Sequence, residues 1–530
     1  MNAIIMAAGK SNRFAPFTYE RPKGLFRVKG QVLIERQIEQ LHEAGVQDVY
    51  VVVGYMKEKF FYLEQKYGVK LLINNAFNKK GNILSLYAAK DYLEDTFICC
   101  ADHYYVENPF LRPNADNHSY RLISFMPGKS REFSVSVSDA EIVTGVELGG
   151  DDDLVMVGCA YFNHHFSRRI RQLMEQEIDD FGVSSLFWEE FYAQHLRELT
   201  LYAVDIPSEG VWEFDSIEDL RRFDSEFLVN VDSEIIDHIC QVLECHPESV
   251  QDIEVIQAGL TNVSFRFRVD DSLYVYRHPG GTASNLINRQ SEIVAQEQAG
   301  RLGLDPSVIR LDPSGWKISY FVKSMEHCNF HQHPWQLEQA LHDLRRYHQE
   351  QSPAIGQVAV FDPLEQAMKL MRLASLSKGN LMKEFEDLTA QVKKLDGYLK
   401  KDMETYHWHP VLCHNDVYEP NYLVARDRRL YLIDWEYAGV TDPANDLGCI
   451  FARDVYTDEK IRHAIQTYLG REPEPQELRH ILAHIPLTAF YWFCWGLYKG
   501  SVGDDDGFFF LPAYRSCLRY LPKAMAMYEE

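Results

Sequence analysis

The sequence predicts an α/β fold over residues 1–228 and a two-lobe α+β fold over residues 229–530. Three observations lead to this prediction. The chain of 530 residues is too long for one hydrophobic core, so more than one domain is expected. Short apolar runs alternate with helical patterns as far as residue 228. From Val229 the pattern changes to strands in hairpin order, and helical patterns dominate after Pro334.

The first region contains four strand-like runs and a helix between the first two. The runs are AIIM, DVYVVVG, KLLIN and TFICCAD, and the amphipathic segment LIERQIEQLHEAG ends at a glycine. Strand and helix in repeated order are typical of a parallel sheet that helices cover on both faces. The expected architecture is therefore a Rossmann-like, mixed sheet.

The second region begins with EVIQAGLTNVSFRFRVDDSLYVYRH, which has the alternation of antiparallel hairpin strands. The helical patterns that follow make up most of the remaining chain. The expected architecture is a small sheet lobe followed by a larger helical lobe.

Composition excludes several classes of protein. The chain is 46% hydrophobic and 25% charged, as in folded globular proteins. Its net charge of −24 disfavours nucleic-acid binding, which needs a basic face. The ten cysteines show no metal-ligand spacing, the start MNAIIMAAG is unlike a signal peptide, and the longest apolar stretch, IPLTAFYWFCWGLY, is short for a bilayer. We expect a cytoplasmic protein without membrane insertion, and a homo-oligomer is compatible with the sequence.

The segment AIIMAAGKSNRF places small residues directly after a strand. Ala7, Ala8 and Gly9 allow a close approach of the backbone, whose amides can bind phosphate oxygens. Arg13 can add a charge-assisted contact, and Lys23 in RPKGL can reach the same phosphates. A glycine turn after a strand is by itself also compatible with a purely structural role. The two cations at this spacing favour a nucleotide site.

Together with LIERQIEQL, VVVGYMKEKF, NNAFNKKGNILSLY and WEFDSIED, these motifs resemble the bacterial CTP:phosphocholine cytidylyltransferases over nearly all of residues 1–228. Ser11 departs from the family pattern, which often has a second glycine there. The resemblance implies that Asn82 and Ser85 lie near the nucleotide and that Asp102 and Asp215 hold Mg²⁺. Carboxylates suit Mg²⁺, which would neutralise the charge that builds up when one phosphate attacks another.

Each predicted metal ligand has a structural alternative. Asp102 ends the apolar run TFICCAD, the strand-end position at which open α/β sheets bind ligands, but a turn or cap residue is also common there. Asp215 precedes SIED, which is equally a plausible helix start with Ser216 as its cap.

The second region carries HNDVYEPN followed by LIDWE. An aspartate can accept the proton of a substrate hydroxyl, and an asparagine five residues later and a further aspartate after a strand can bind Mg²⁺. These residues are Asp416, Asn421 and Asp434. The pattern resembles the choline/ethanolamine kinases and the aminoglycoside phosphotransferases over most of residues 250–530.

Further positions follow from that resemblance. It places Gly259, Thr261 and Asn262 at the nucleotide phosphates, and it makes Arg277 of YVYRHPGG a phosphate-binding residue with Glu292 as its ion-pair partner. The segment after IDWEYAG lacks the activation segment of protein kinases, so a small-molecule substrate is favoured. Glu436 either assists the metal site or forms a structural salt bridge.

Aromatic residues suggest the alcohol that is phosphorylated, because aromatic faces attract quaternary ammonium groups. The candidates in the second region are Trp435, Tyr437, Tyr491, Trp492 and Trp495. The candidates in the first region are Tyr161, Phe187 and Trp188. The alternative for the aromatic helix is an ordinary core role, and the family resemblance favours choline.

The two regions together predict a bifunctional enzyme that uses ATP, CTP and Mg²⁺. Choline would be phosphorylated in the second region, and phosphocholine would be coupled to CTP in the first, giving CDP-choline and pyrophosphate. The alternatives are the same chemistry on ethanolamine or another amino alcohol, or an active cytidylyltransferase with a regulatory, choline-binding kinase-like module.

Overall fold

The computed structural model describes residues 1–112, 117–256, 262–280, 286–350, 352–502 and 507–529. The side chains of Asn262, Lys378 and residues 507–509 are outside that description. The chain divides into two compact units. The first is Met1–Val255 with Arg268–Asp270, and the second is Ile256–Phe267 with Asp271–Glu530.

The first unit is built on a seven-stranded mixed sheet. In spatial order its strands are Tyr202–Asp205, Tyr120–Val137, Val143–Phe162, Thr96–Cys100, Asn2–Ala7, Asp48–Val53 and Lys70–Ile73. The last four are mutually parallel, with Ala3 opposite both Val49 and Phe97, whereas Val143–Phe162 runs antiparallel to Thr96–Cys100. The four predicted strand-like runs are these four parallel strands, so the predicted mixed sheet is confirmed.

Helices cover this sheet, and short strands complete the unit. The helices are Phe17–Glu20, Leu33–Glu43, Tyr62–Tyr67, Ile83–Ala88, His164–Glu177, Trp188–Gln194, Ile217–Phe223, Phe227–Asn230 and Glu234–Leu243. The short strands are Arg27–Val28, Gln31–Val32, His103–Tyr105 and Val211–Glu213, and Gln251–Ile256 lies where the division between the units falls.

Alternate residues of the central strand pack into two different cores. Ile4 and Met6 belong to one hydrophobic cluster, and Ala3, Ile5 and Ala7 belong to another. Successive side chains of a strand point to opposite faces, so the sheet has an apolar core on each face. This burial on both faces explains why the parallel strands are continuous apolar runs rather than alternating ones.

The first unit extends beyond the predicted boundary at residue 228. Phe227 packs edge-on against Phe17, with ring centroids 5.4 Å apart. Further along, Ser233 Oγ donates to Glu20 Oε2 (2.6 Å) and the Ile235 amide donates to Glu20 Oε1 (3.0 Å). These contacts tie the helix Glu234–Leu243 to the first unit.

The second unit has a small sheet followed by many helices, as predicted. Four of its strands lie in the spatial order Asn262–Val269, Ser272–Pro279, Lys317–Tyr320 and Val308–Leu311. Two antiparallel pairs follow, Val411–Cys413 with Gly439–Thr441 and Tyr422–Val424 with Leu430–Leu432. The helices are Arg289–Leu302, Pro334–Gln349, Pro363–Lys378, Leu381–Glu384, Glu386–Thr405, Ala444–Phe451, Asp458–Leu469, Pro475–Ser501 and Gly507–Glu529.

The helix Pro475–Ser501 is long and apolar enough to cross a membrane by length and composition. However, 83% of its most apolar window is buried inside the protein, as in the core helix of a soluble protein. It packs in the same hydrophobic cluster as Leu370, Leu395 and Leu521. Its apolar character is thus accounted for by core packing.

Candidate active sites

The loop after the central strand of the first unit contains the predicted phosphate-binding residues. Ala7 and Ala8 are buried, Gly9 is exposed, and no atom lies within 4 Å of where a Cβ of Gly9 would be. Ser11, the departure from the family pattern, has a left-handed backbone (φ 48°). Glycine adopts this conformation without strain, which explains a preference for glycine at this position.

Lys23 and Asp102 are in direct contact. Lys23 Nζ lies 2.9 Å from Asp102 Oδ2 and donates to the carbonyl of Phe214 at 2.5 Å. Its ammonium also lies 4.3 Å from the ring centroid of Phe14. Burial opposes ionisation of Asp102, but the charge of Lys23 outweighs it and lowers the pKa of Asp102 to about 2. The carboxylate is therefore charged at neutral pH and available to a cation.

Asp215 meets Arg13 across 202 positions of sequence. Arg13 Nη1 lies 2.7 Å from Asp215 Oδ1, and both side chains are exposed. Ser216, not Asp215, caps the helix Ile217–Phe223, because its Oγ accepts from the amide of Asp219 (3.2 Å). The predicted helix start with Ser216 as its cap is therefore present, and Asp215, just before it, lines the same cavity as Asp102.

These side chains line a cavity of about 450 Å³. Asn82, Ser85 and Phe187 also line it. Every residue predicted for the first unit is in this lining except Tyr161 and Trp188. Those two are core residues: Tyr161 packs against Phe97, with ring centroids 5.2 Å apart, and Trp188 packs against Phe162 at 5.3 Å.

The cavity contains charged residues that the sequence reasoning missed. Arg121 and Glu189 form a buried pair with 3.6 Å between Nη2 and Oε1. Burial raises the pKa of Glu189 to about 7, although Arg121 opposes the shift. Burial, followed by the charges of Glu213 and Asp215, raises the pKa of Glu132 to about 7. No local motif marks Arg121, Glu132 or Glu189, since only the fold brings them to the cavity.

In the second unit the segment HNDVYEPN forms a loop in which His414, Asn415, Asp416 and Asn421 are buried. Asn421 Nδ2 donates to the carbonyl of Asp416 (2.8 Å) and to its Oδ2 (3.0 Å). The loop is held by Asp446, which accepts from the amides of His414 (2.9 Å) and Asn415 (2.6 Å). Burial raises the pKa of Asp416, a change that favours proton acceptance.

The predicted Arg277–Glu292 pair is brought together. Arg277 Nη2 lies 2.5 Å from Glu292 Oε1, and its Nη1 lies 3.5 Å from Asp434 Oδ1. Burial opposes ionisation of Glu292, but Arg277 lowers its pKa. Glu436 is buried, and its charge favours the charged form of Arg277. Gly259 and Thr261, and the side chain of Asn262, lie outside the described residues.

Most of the predicted aromatic cage is buried. Trp435 is a core residue: its Nε1 donates to the carbonyl of Leu432 (2.8 Å), and its ring packs on Tyr347. The structure brings the other four aromatic side chains into one cluster: Tyr437, Tyr491, Trp492 and Trp495. Within it, Trp495 Nε1 donates to the Tyr437 hydroxyl (3.0 Å). The Trp492 ring packs against the rings of Tyr491 and Trp495 in the same helix.

Arg453, which the sequence reasoning missed, lies against this cluster. Its guanidinium carbon is 3.7 Å from the ring centroid of Trp492 and 4.2 Å from that of Tyr418. Its Nη2 lies 2.7 Å from Asp416 Oδ1. Arg453 follows the helix Ala444–Phe451, and nothing in DLGCIFARD identifies it as part of the site.

The folds and sites define a nucleotidyltransferase joined to a small-molecule kinase. The family model for the MobA-like NTP transferase domain matches residues 3–177, and that for choline/ethanolamine kinase matches residues 253–480. The chain belongs to the nucleotidyltransferase family that includes the cytidylyltransferases, as a fusion with a choline/ethanolamine kinase-family domain.

Three relatives illustrate this. The 2-aminoethylphosphonate cytidylyltransferase of Lancefieldella rimae is 36% identical over 230 residues, which are 43% of this chain and 93% of the relative. The choline-phosphate cytidylyltransferase of Streptococcus pneumoniae is 30% identical over 230 residues, 43% of this chain and 99% of the relative. Protein LicA of Haemophilus influenzae is 27% identical over 259 residues, 47% of this chain and 93% of the relative.

Proposed function

We propose that the chain carries out two consecutive transfers on one small alcohol. The second unit phosphorylates the alcohol with ATP, and the first unit couples the phosphorylated product to CTP, giving a CDP-alcohol and pyrophosphate. The observation that supports this most is the presence of both sites in one chain, each with charged groups suited to its transfer. The product of the kinase step is then a substrate of the cytidylyl transfer.

In the kinase step the hydroxyl oxygen bonds to the γ-phosphorus of ATP, the bond from that phosphorus to the bridging oxygen breaks, and ADP leaves. Asp416 accepts the hydroxyl proton, and Asn421 holds the Asp416 carboxylate in place. Arg277, kept charged by Glu292, binds nucleotide phosphate.

In the transferase step an oxygen of the phosphorylated alcohol attacks the α-phosphorus of CTP, and pyrophosphate leaves. Lys23 and Arg13 bind the triphosphate, while the loop Ala7–Gly9 gives the backbone a close approach to it. Of the residues that line this cavity, Asn82 and Ser85 are assigned to the nucleotide and Phe187 to the acceptor.

Mg²⁺ fits both sites, because each offers oxygen donors next to a cation-lined phosphate site. Asp102 and Asp215 would hold it in the first unit, and Asn421 and Asp434 in the second. The ion would supply neutralisation of phosphate charge.

The identity of the acceptor alcohol is the more specific part of the proposal. Choline is supported by the resemblance to the choline/ethanolamine kinases and by one relative whose name specifies choline phosphate. Ethanolamine or another amino alcohol is the alternative, and a different relative is named for an aminophosphonate. The structure adds a separate observation that bears on the acceptor, because Arg453 contacts Asp416.

The deciding experiment supplies ATP, CTP, Mg²⁺ and one alcohol at a time, and follows the phosphorylated alcohol and the CDP-alcohol separately. We expect both products from the same alcohol, with the phosphorylated alcohol formed first. Formation of a CDP-alcohol only from externally supplied phosphorylated alcohol would contradict the two-step proposal. That result would favour the alternative of a silent, regulatory kinase-like module. The presence of all three residues, Asp416, Asn421 and Asp434, with the first two buried and hydrogen-bonded to each other, argues against it.

A further inference from the structure

The space beside the catalytic loop of the second unit already contains a cation from the chain itself. The Arg453 guanidinium carbon lies 3.7 Å from the ring centroid of Trp492 and 4.2 Å from that of Tyr418, and Nη2 contacts Asp416. Its side chain is only 13% exposed. An arginine stacked on aromatic faces and paired with a buried carboxylate is held firmly, because moving it would break both kinds of contact.

This arrangement takes up the groups that would recognise a cationic acceptor. The Trp492 face, a predicted wall of a choline cage, is covered by Arg453. The Asp416 carboxylate, which would attract a positive substrate, is neutralised by the same side chain. A trimethylammonium or ammonium group would have to lie within several Å of a fixed positive charge. Two like charges about 6 Å apart at intermediate dielectric repel by an amount worth roughly 100-fold in binding.

The guanidinium also has unused donors. Nη2 contacts Asp416, whereas Nε and Nη1 have no hydrogen-bond partner among the residues that the structure describes. An acceptor whose hydroxyl reaches Asp416 brings its other end close to these donors. Carboxylate, hydroxyl and carbonyl oxygens match such donors, and a quaternary ammonium does not.

We propose that Arg453 determines the acceptor specificity of the kinase half, and that the acceptor is a small alcohol whose distal group is a hydrogen-bond-accepting oxygen, neutral or anionic. This inference rests on the proposed kinase function and replaces choline as the preferred acceptor. The transfer itself is unchanged: the hydroxyl oxygen bonds to the γ-phosphorus of ATP, its proton goes to Asp416, and ADP leaves.

The test compares four primary alcohols with the full-length protein, ATP and Mg²⁺: choline, ethanolamine, glycerol and glycerate. The readouts are ADP release and the phosphorylated alcohol. We expect kcat/KM for glycerol or glycerate to exceed that for choline at least tenfold. A wild-type preference for choline or ethanolamine would overturn the inference and leave the two-step function standing. Phosphorylation of no alcohol would instead overturn the kinase function itself, and the inference with it.

Two variants make the assignment specific to Arg453. Arg453→Glu should reverse the ratio, raising choline use and lowering glycerate use by ten- to a hundred-fold each, mainly through KM. Arg453→Gln, which keeps much of the size of the side chain, should bring the ratio of glycerate use to choline use close to one. This variant replaces Arg453→Glu in the test if the glutamate variant does not fold. The matched control is Arg429→Gln, because Arg429 is exposed and pairs with Asp427 at the surface. An unchanged acceptor ratio in a folded Arg453→Gln variant would contradict the assignment.

Discussion

The two sites contain the same kinds of ion pair but in very different surroundings. In the first unit Arg13 and Asp215 are 66% and 49% exposed, and Asp102 is 27% exposed beside Lys23. In the second unit Arg277 and Glu292 are 6% and 1% exposed. The Arg13–Asp215 pair of the first site thus lies in an open cleft, whereas the Arg277–Glu292 pair of the second site lies inside the protein.

This difference predicts different consequences of losing a charge. Exposed pairs contribute little to stability, so substitution of Arg13 or Asp215 should act on catalysis alone. A buried pair that loses one member leaves an uncompensated charge, so substitutions in the second site should also destabilise that unit. Four experiments test this contrast.

The largest effect is expected from Asp416→Asn. The amide cannot accept the hydroxyl proton, so kcat/KM of the kinase step should fall by about 10²–10⁴-fold. Cytidylyl transfer to supplied phosphorylated alcohol should be unchanged, because its site is built from residues of the first unit. Asp427→Asn, at an exposed carboxylate, is the control. Loss of both activities in a folded Asp416→Asn protein would refute the separation of the sites.

Glu292→Gln should show the stability cost of the buried site. Arg277 would keep its charge inside the protein without its closest carboxylate partner, at a cost of about 3–5 kcal/mol in the free energy of unfolding. Urea unfolding followed by kinase activity should therefore have a lower midpoint, while unfolding followed by transferase activity should not change. Glu297→Gln, at an exposed position of the same helix, should leave both midpoints unchanged.

Lys23→Met tests the proposed phosphate-binding charge of the first site. The substitution keeps an unbranched side chain at this buried position but removes the charge next to Asp102, so kcat/KM for cytidylyl transfer should fall by about 10²–10³-fold. Kinase activity should be unaffected. Lys59→Met, at an exposed lysine, is the control. Normal cytidylyl transfer by Lys23→Met would exclude the proposed CTP site.

Much of the architecture follows from local pattern. Apolar runs located the parallel strands, and Asp102 follows Thr96–Cys100 as predicted for a ligand-binding strand end. The pattern HNDVYEPN followed by LIDWE marked Asp416, Asn421 and Asp434 as candidates, since these residues are close in sequence and two short strands separate the last two. Such features depend on neighbours in the chain, which a sequence displays directly.

The remaining features depend on distant parts of the chain. The pairing of Arg121 with Glu189 joins segments 68 positions apart, and no spacing rule predicts it. The aromatic residues of Pro475–Ser501 could not be divided between cage and core, because the helix is apolar on most of its surface. Arg453 could not be predicted from the sequence either, because only folding brings it from the end of the helix Ala444–Phe451 to the ring of Trp492.

The smallest effect is expected from removing a helix cap in either unit. It tests whether the two units unfold separately. Asn163 Oδ1 accepts from the Phe166 amide at the start of His164–Glu177, and Asn288 Oδ1 accepts from the Ser291 amide at the start of Arg289–Leu302, both at 3.0 Å. Replacing either asparagine with alanine leaves an amide unpaired and should cost about 1 kcal/mol.

Asn163→Ala should lower the midpoint of urea unfolding when unfolding is monitored by cytidylyl transfer. Asn288→Ala should lower the midpoint when unfolding is monitored by kinase activity. The second helix carries Glu292, so loosening its first turn also weakens the hold on Arg277 and should reduce kinase kcat/KM by a few-fold before unfolding begins. The first helix carries none of the proposed site residues, so Asn163→Ala should leave transferase kcat/KM unchanged in the absence of urea. Equal shifts of both midpoints in either variant would show that the units unfold as one, and the contrast between an open and a buried site would then concern catalysis only.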